Sequence, residues 1–159
     1  GDIVELEENK IVGTHQGVHL YTFGQRKGLG LGGPGEPWFV CDKDFENNIL
    51  YVVRGERHPS LYVDYAIVKD ESWINFSWDK ENLECFVKVR YRQKDQECRI
   101  ESMENGKIKV VFKNPQRSVT PGQSSVFYLG EQCIGQAFIE SVGQNYYQQQ
   151  KSLPELFFS

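Results

Sequence analysis

The chain has 159 residues, of which 39% are hydrophobic, and a formal net charge of −4. This length and composition support one ordinary hydrophobic core or two small ones. No apolar stretch approaches the roughly 20 residues that span a bilayer, and the first residues show neither an initiator Met nor a signal-peptide pattern. We therefore expect a soluble cytoplasmic protein without a membrane partner, and a piece of a longer chain.

Short strands are predicted from the beginning of the chain. Residues 2–6 and 10–14 alternate between apolar and polar side chains, and residues 37–42 and 49–54 are rich in β-branched and aromatic side chains. Glu46-Asn47-Asn48 has the composition of a turn, which predicts a hairpin between the third and fourth strands.

A second series of strands is predicted after a connecting segment at 64–82, where three aromatic residues lie among charged ones. Turn signals such as Asn105-Gly106 and Asn114-Pro115 separate five strand-like runs, at 84–91, 97–102, 107–112, 124–129 and 133–140. Short strands at this regular spacing predict a sandwich or a small barrel. The residues after 143 are predicted to form a polar tail.

The run 85–92 alternates between an apolar face and a face that carries cations. The first face has Cys85, Val87, Val89 and Tyr91, and the second has Phe86, Lys88, Arg90 and Arg92. Residues 84–117 hold nine Lys or Arg against five acidic residues, although the whole chain is acidic. Such a basic region favours a polyanionic partner. It is equally compatible with a solvated strand face.

The cysteines and histidines do not predict a metal site or a catalytic pair. The four cysteines, at 41, 85, 98 and 133, form no C-x-x-C motif, and no His stands at ligand spacing from them. Cys85 and Cys98 could face each other across a hairpin, but so few cysteines favour reduced thiols in a cytosolic protein.

Residues 21–33 form a glycine-rich loop with Arg26 and Lys27 at its entrance. Five glycines allow close approach by a ligand, and the two cations suggest a phosphate. Gly28, Gly30 and Gly33 match G-x-G-x-x-G formally, but the prolines that follow at 34 and 37 prevent the helix which that fingerprint requires. Neither a dinucleotide or methyl-donor site nor a P-loop is predicted.

Three polar clusters are typical of an RNA contact surface: Gln25-Arg26-Lys27, Arg90-Tyr91-Arg92 and the Gln123 that ends Thr120-Pro121-Gly122-Gln123. Arginine binds phosphates, tyrosine stacks on unpaired bases, and glutamine can read base edges. Two alternatives stay open. The second cluster could be an exposed strand end with salt bridges to Glu97 or Glu101, and the third a plain β-turn.

Longer motifs contain these clusters. They read GTHQG at 13–17, YTFGQRKGLG at 21–30, PWFV at 37–40, VRYRQ at 89–93 and VTPGQSSVFY at 119–128. In this order they resemble the bacterial tRNA-specific 2-thiouridylases, and the motif at 21–30 is the most specific.

The resemblance implies a mainly β fold: a small β-rich central domain at 1–64, a six-stranded barrel similar to those of translation factors at 65–143, and the polar tail at 144–159. Members of the family activate the wobble uridine of tRNA with ATP and Mg, then replace its C2 oxygen with sulfur from a cysteine persulfide. The catalytic domain and its two cysteines lie upstream of the part matched here. The chain alone is therefore expected to be inactive, with no catalytic residue, metal or cofactor of its own.

The resemblance also implies partners and contact residues. The expected partner is tRNA, and the full-length enzyme would receive sulfur from a sulfur-relay protein or a cysteine desulfurase. The predicted tRNA-contact residues are Arg90, Tyr91, Arg92 and Gln123 in the barrel and Gln25, Arg26 and Lys27 in the loop.

Two other functions stay open. One is a stand-alone interaction module, a translation-factor-like barrel without enzymatic activity that binds protein. The other is a tRNA methyltransferase, which older labels for this family suggest and which the missing methyl-donor motif disfavours.

Overall fold

The computed structural model describes residues 1–90 and 93–154, and these fold mainly as β-strands. The described residues hold ten strands and two short 3-10 turns, without an α-helix. They form two compact units, Gly1–Leu61 with Tyr146–Ser152, and Tyr62–Asn145 with residues 153–154. The predicted fold class, a small β-rich part followed by a six-stranded barrel, is confirmed.

The first unit is a four-stranded sheet with the order β2-β1-β4-β3. Its strands are β1 (Asp2–Glu5), β2 (Lys10–Thr14), β3 (Trp38–Asp44) and β4 (Ile49–Arg54). β1 is parallel to β4, and the other pairs are antiparallel. The four strands and the β3–β4 hairpin were all predicted from the sequence.

The core of this sheet is made of aliphatic residues from the alternating strand positions. Ile3, Val40, Leu50 and Val52 are completely buried, and Leu29 of the glycine-rich loop joins them with 6% exposure. The loop is therefore anchored to the core by an apolar side chain between its glycines.

The second unit is a closed antiparallel barrel with the strand order β10-β5-β8-β7-β6-β9. Its strands are β5 (Tyr62–Trp73), β6 (Asn82–Lys88), β7 (Gln96–Ser102), β8 (Ile108–Arg117), β9 (Ser124–Leu129) and β10 (Gln132–Val142). The core-facing prediction for Cys85, Val87 and Val89 is confirmed, since all three are buried. Tyr91, predicted on the same face, lies outside the described residues.

Two sequence predictions about the barrel are wrong. The segment predicted to connect the two parts holds most of β5, whose apolar residues Val63, Ala66 and Val68 are buried and whose charged residues at 69–71 lie near its end. The predicted Asn114-Pro115 turn lies inside β8, at a bulge where the pairing jumps from Tyr65↔Val111 to Val63↔Gln116. Proline is tolerated at such a bulge because no ladder hydrogen bond is required there.

The segment after the barrel contributes to the first unit. Tyr146 is 8% exposed, and its carbonyl accepts a hydrogen bond from the Lys151 amide at 2.9 Å. The Tyr147 ring lies 5.5 Å from the His58 ring, centroid to centroid. Aromatic contacts therefore hold part of the predicted tail.

None of the described segments forms a helix with the length and apolar character needed to cross a bilayer.

All four cysteines are free, and Cys85 and Cys98 are cross-strand neighbours with their Sγ atoms 3.7 Å apart. Burial raises the pKa of the Cys41 thiol to about 12, whereas Cys133 is only half-buried. Desolvation is the main cause of the shift, because burial penalises the thiolate.

We predict that iodoacetamide at pH 8 alkylates Cys133 first and leaves Cys41 unmodified. At that pH only about one Cys41 thiol in ten thousand is ionised, and the thiolate is the nucleophile. Mass spectrometry of tryptic peptides measures the order. Urea-unfolded chain should label at all four cysteines, and Cys41 reacting as fast as Cys133 in folded chain would contradict the placement.

The barrel core predicts a second outcome. Phe127 on β9 is completely buried, so Phe127→Ala should lower the free energy of unfolding by about 3–5 kcal/mol. The matched control is Phe138→Ala on the paired strand β10, because Phe138 is 41% exposed and should matter little. Urea denaturation of both variants measures the difference, and equal losses would contradict the assignment of the core.

Candidate nucleic-acid interface

The antiparallel barrel gathers distant parts of the sequence at one end. The pairs Tyr62↔Arg117 and Lys88↔Val126 place the starts of β5 and β9 beside the ends of β8 and β6. This β6–β9 pairing ends two residues before Arg90 and three residues after Gln123. We call this surface the arginine end; it comprises Arg90, Gln93, Gln116, Arg117 and Gln123.

Arg90 is half-buried at this end, and its Nε atom is buried without a hydrogen-bond partner. Burial lowers the pKa of its guanidinium, and the nearby Arg117 lowers it further, with Tyr62 opposing both. A guanidinium that is partly desolvated and has a second cation nearby favours an anion as its neighbour. A phosphate contact by Arg90 stays a prediction.

Gln123 follows a fixed turn. Its amide donates to the Thr120 carbonyl at 3.2 Å, and its carbonyl accepts from the Ile139 amide at 2.8 Å. The plain-turn alternative is therefore right about the backbone of Thr120–Gln123. The side chain has a different character, because Gln123 Oε1 is buried and lacks a hydrogen-bond partner.

Tyr91 and Arg92, the other predicted contact residues of the barrel, lie outside the described residues.

Most of the basic region lies on the barrel wall, where nearby groups already engage the cations. Three pair with carboxylates: Lys113 with Glu97 at 2.6 Å, Lys107 with Glu140 at 2.7 Å and Arg99 with Glu101 at 2.8 Å. Two lie over tyrosine rings: Lys109 over Tyr65 and Lys88 over Tyr128. The solvated-face alternative is right for these five residues. Glu97 and Glu101 have also found partners other than Arg90.

The glycine-rich loop uses Gln25 to hold its own shape. Gln25 Oε1 accepts from the Thr22 amide at 3.0 Å, and Nε2 donates to the Lys27 carbonyl at 2.9 Å. Backbone bonds from Gly24 and to Gln25 join the same turn to Val40 of β3. Arg26 and Lys27 are exposed. Within this cluster the two cations are therefore presented to solvent, and the glutamine organises them.

Sequence reasoning missed the residue that fastens the glycine-rich loop. The Arg54 guanidinium lies 4.1 Å from the centroid of the Trp38 ring and donates to the carbonyls of Glu36, at 2.8 Å, and Gly32, at 3.5 Å. Trp38 Nε1 donates to the same Gly32 carbonyl at 3.2 Å. Arg54 ends a predicted strand, but no local pattern indicated that it would reach back over about twenty residues.

Two of the three histidines have structural contacts. His15 is buried, and its ring nitrogens bond to the Gly17 amide at 3.0 Å and to the Asn48 carbonyl at 2.9 Å. His58 bonds to Ser60 at 2.8 Å and Glu7 at 2.5 Å. Over residues 1–90 and 93–154, no three His, Cys, Asp or Glu side chains come together as a metal site.

We predict that Arg54→Met accelerates tryptic cleavage after Arg26 and Lys27 by about fivefold or more, because loss of the cation–π and charge-assisted contacts eases local opening. The matched control, Lys10→Met, also removes one tryptic site, but from an exposed position of β2. Timed digestion with mass spectrometry measures both. Equal cleavage rates for Arg54→Met and the parent chain would show that Arg54 does not fasten the loop.

Comparison with known proteins gives matches to both units. Residues 1–54 match the tRNA methyl transferase PRC-barrel domain, and residues 63–139 match the aminomethyltransferase beta-barrel domain. The chain is 52% identical over 147 residues to the tRNA-specific 2-thiouridylase MnmA of Protochlamydia amoebophila, covering 92% of this chain and 39% of that protein. The MnmA proteins of Tolumonas auensis and Francisella philomiragia are 46% and 48% identical, over 87% and 84% of this chain and 38% of each relative.

The chain thus spans less than two fifths of the length of these curated relatives. The two matched domains coincide with the sheet unit and the barrel unit. The chain belongs to the family of the tRNA-specific 2-thiouridylases.

Proposed function

We propose that this chain is the tRNA-binding C-terminal part of an enzyme that 2-thiolates the wobble uridine of tRNA. The observation that carries the proposal is the arginine end, where half-buried Arg90 lies near Arg117 and where the buried amide oxygen of Gln123 has no hydrogen-bond partner. The names of the relatives, tRNA-specific 2-thiouridylases, supply the reaction and the RNA.

In this proposal the two units have different roles. Arg90 and Arg92 contact phosphates, Tyr91 stacks on a base, and Gln123 binds a base edge or a ribose hydroxyl. The exposed Arg26 and Lys27 face the catalytic domain and its substrate. ATP and Mg act in that catalytic domain. The persulfide sulfur that reacts there is supplied by a sulfur-relay protein or a cysteine desulfurase.

We predict that Arg90→Ala with Arg92→Ala weakens tRNA binding and flattens its salt dependence. Each lost phosphate contact should remove about 0.7–0.9 from the slope of log K against log salt. Fluorescence anisotropy of labelled tRNA, over a series of salt concentrations, measures both quantities.

The matched control is Lys107→Ala with Lys113→Ala, which removes the same formal charge from the barrel wall. These lysines already pair with Glu140 and Glu97, so the slope should change less. If both double variants change the affinity and the salt slope equally, tRNA binding depends on the overall charge of the chain and not on the arginine end.

A further prediction separates the proposal from its alternatives. Incubated with tRNA, MgATP and a persulfide donor, the 159-residue chain should form no 2-thiouridine, as measured by mass spectrometry of digested tRNA. Thiolation by the chain alone would contradict the assignment of catalysis to another domain. Methyl transfer from a methyl donor would instead support the methyltransferase alternative, which the name of the domain matched by residues 1–54 also suggests.

The interaction-module alternative makes an opposite prediction for binding. A protein-binding barrel should capture its partner at high salt, and tRNA should be neither retained nor protected from nuclease by the chain.

A further inference from the structure

A line of side-chain amides runs beneath Arg90 at the arginine end. The side-chain oxygen of Gln93, Oε1, accepts a hydrogen bond from the Val89 backbone amide at 3.0 Å. The backbone amide of Gln93 donates to the Arg90 carbonyl at 3.4 Å. One glutamine therefore bonds to the backbone on both sides of the Val89–Arg90 peptide. The position of Arg90 depends on where Gln93 is held.

Gln116 holds Gln93. Gln93 Nε2 donates to Gln116 Oε1 at 2.7 Å, and Gln116 Nε2 donates to the Asn114 carbonyl at 3.1 Å and to Gln96 Oε1 at 3.3 Å. Gln116 is 4% exposed, so these bonds do not compete with bulk water. Gln116 thus bonds through its oxygen and through both N–H groups of its side-chain amide, which fixes the orientation of that amide.

The line joins three strands whose ends meet here. Gln116 lies at the end of β8, Gln96 begins β7, and Gln93 follows β6. Gln96 Nε2 continues the line to the Lys94 carbonyl at 3.2 Å. These hydrogen bonds connect the chain just after β6 with both β7 and β8.

This arrangement matters because Arg90 occupies an unfavourable place. Burial and the charge of Arg117 both lower the pKa of the Arg90 guanidinium. A freely mobile segment would relax by moving Arg90 into water and away from Arg117. The amide line opposes that motion and keeps Arg90 partly desolvated before a polyanion arrives.

We propose that Gln116 is a positioning residue that pre-sets Arg90 for the RNA backbone through Gln93. This inference rests on the proposed function and adds a residue that makes no RNA contact itself. Gln116 escaped the sequence analysis because it follows the proline that predicted a turn.

The test is a double-mutant cycle in the 159-residue chain, with labelled tRNA titrated at several salt concentrations. Gln116→Met keeps the side-chain length and the net charge but removes every amide bond. It should weaken binding about threefold to tenfold and flatten the salt slope, although no charge is lost. The double variant with Arg90→Ala should bind no more weakly than Arg90→Ala alone.

The control is Gln136→Met, because Gln136 is exposed on β10. It should bind like the parent chain. Circular dichroism and thermal unfolding check the fold of each variant, and Gln93→Met tests the same link from a less buried position if Gln116→Met does not fold.

Parent-like binding by Gln116→Met, or an effect that adds fully to that of Arg90→Ala, overturns the inference while the proposed function stands. Parent-like binding by Arg90→Ala itself overturns both.

Discussion

The pairing of β6 with β9 is the constraint on which the candidate interface depends. Three residue pairs, Phe86↔Tyr128, Val87↔Phe127 and Lys88↔Val126, join strands about forty residues apart. With the β9–β10 and β10–β5 pairs they close the sheet on itself, which leaves the barrel without an edge. Because every neighbouring strand pair is antiparallel, closure also brings three strand ends and three strand starts to one place.

Closure explains why the arginine end differs from the wall. On the wall, side chains of adjacent strands lie opposite each other, so a lysine meets a carboxylate or a tyrosine ring, as Lys113 meets Glu97. At the end of the barrel the strands stop, and Arg90 has a second arginine nearby. The cations on the wall are therefore compensated by nearby groups, whereas Arg90 at the end of the barrel keeps a buried Nε atom without a hydrogen-bond partner.

The alternation of apolar residues predicted nine of the ten strands, because one buried face leaves a period of two in the sequence. β5 escaped this reading. A shift of register between Val63 and Tyr65 breaks its period, and its last residues are charged and solvated. Pro115 was misleading for a related reason, since a bulge accommodates a proline that a regular ladder would reject. A periodic sequence pattern therefore indicates regular strand pairing but does not indicate the bulges that interrupt it.

The candidate site shows the same division. Motifs indicated Arg90, Gln123 and the cations at 26 and 27, all of which are visible as polar clusters. The supporting residues carry no local signal: Arg54 acts across the sheet unit, and Gln116 acts through the side chain of Gln93. Their roles are defined by long-range geometry, which a single sequence does not contain. Gln25 is predicted as a contact residue, and the structure adds that its side chain holds the loop together.

The most direct test of the central claim, that the arginine end is the RNA surface, is a ¹⁵N–¹H NMR titration of the chain with tRNA. The backbone amides of Arg90, Gln93 and Gln123 report on one end of the barrel, and the indole groups of Trp73 and Trp78 report on the other. The account predicts shifts and broadening at the three amides with unchanged indole resonances. Perturbation centred on Trp73 and Trp78, with Arg90 and Gln123 unaffected, would contradict it.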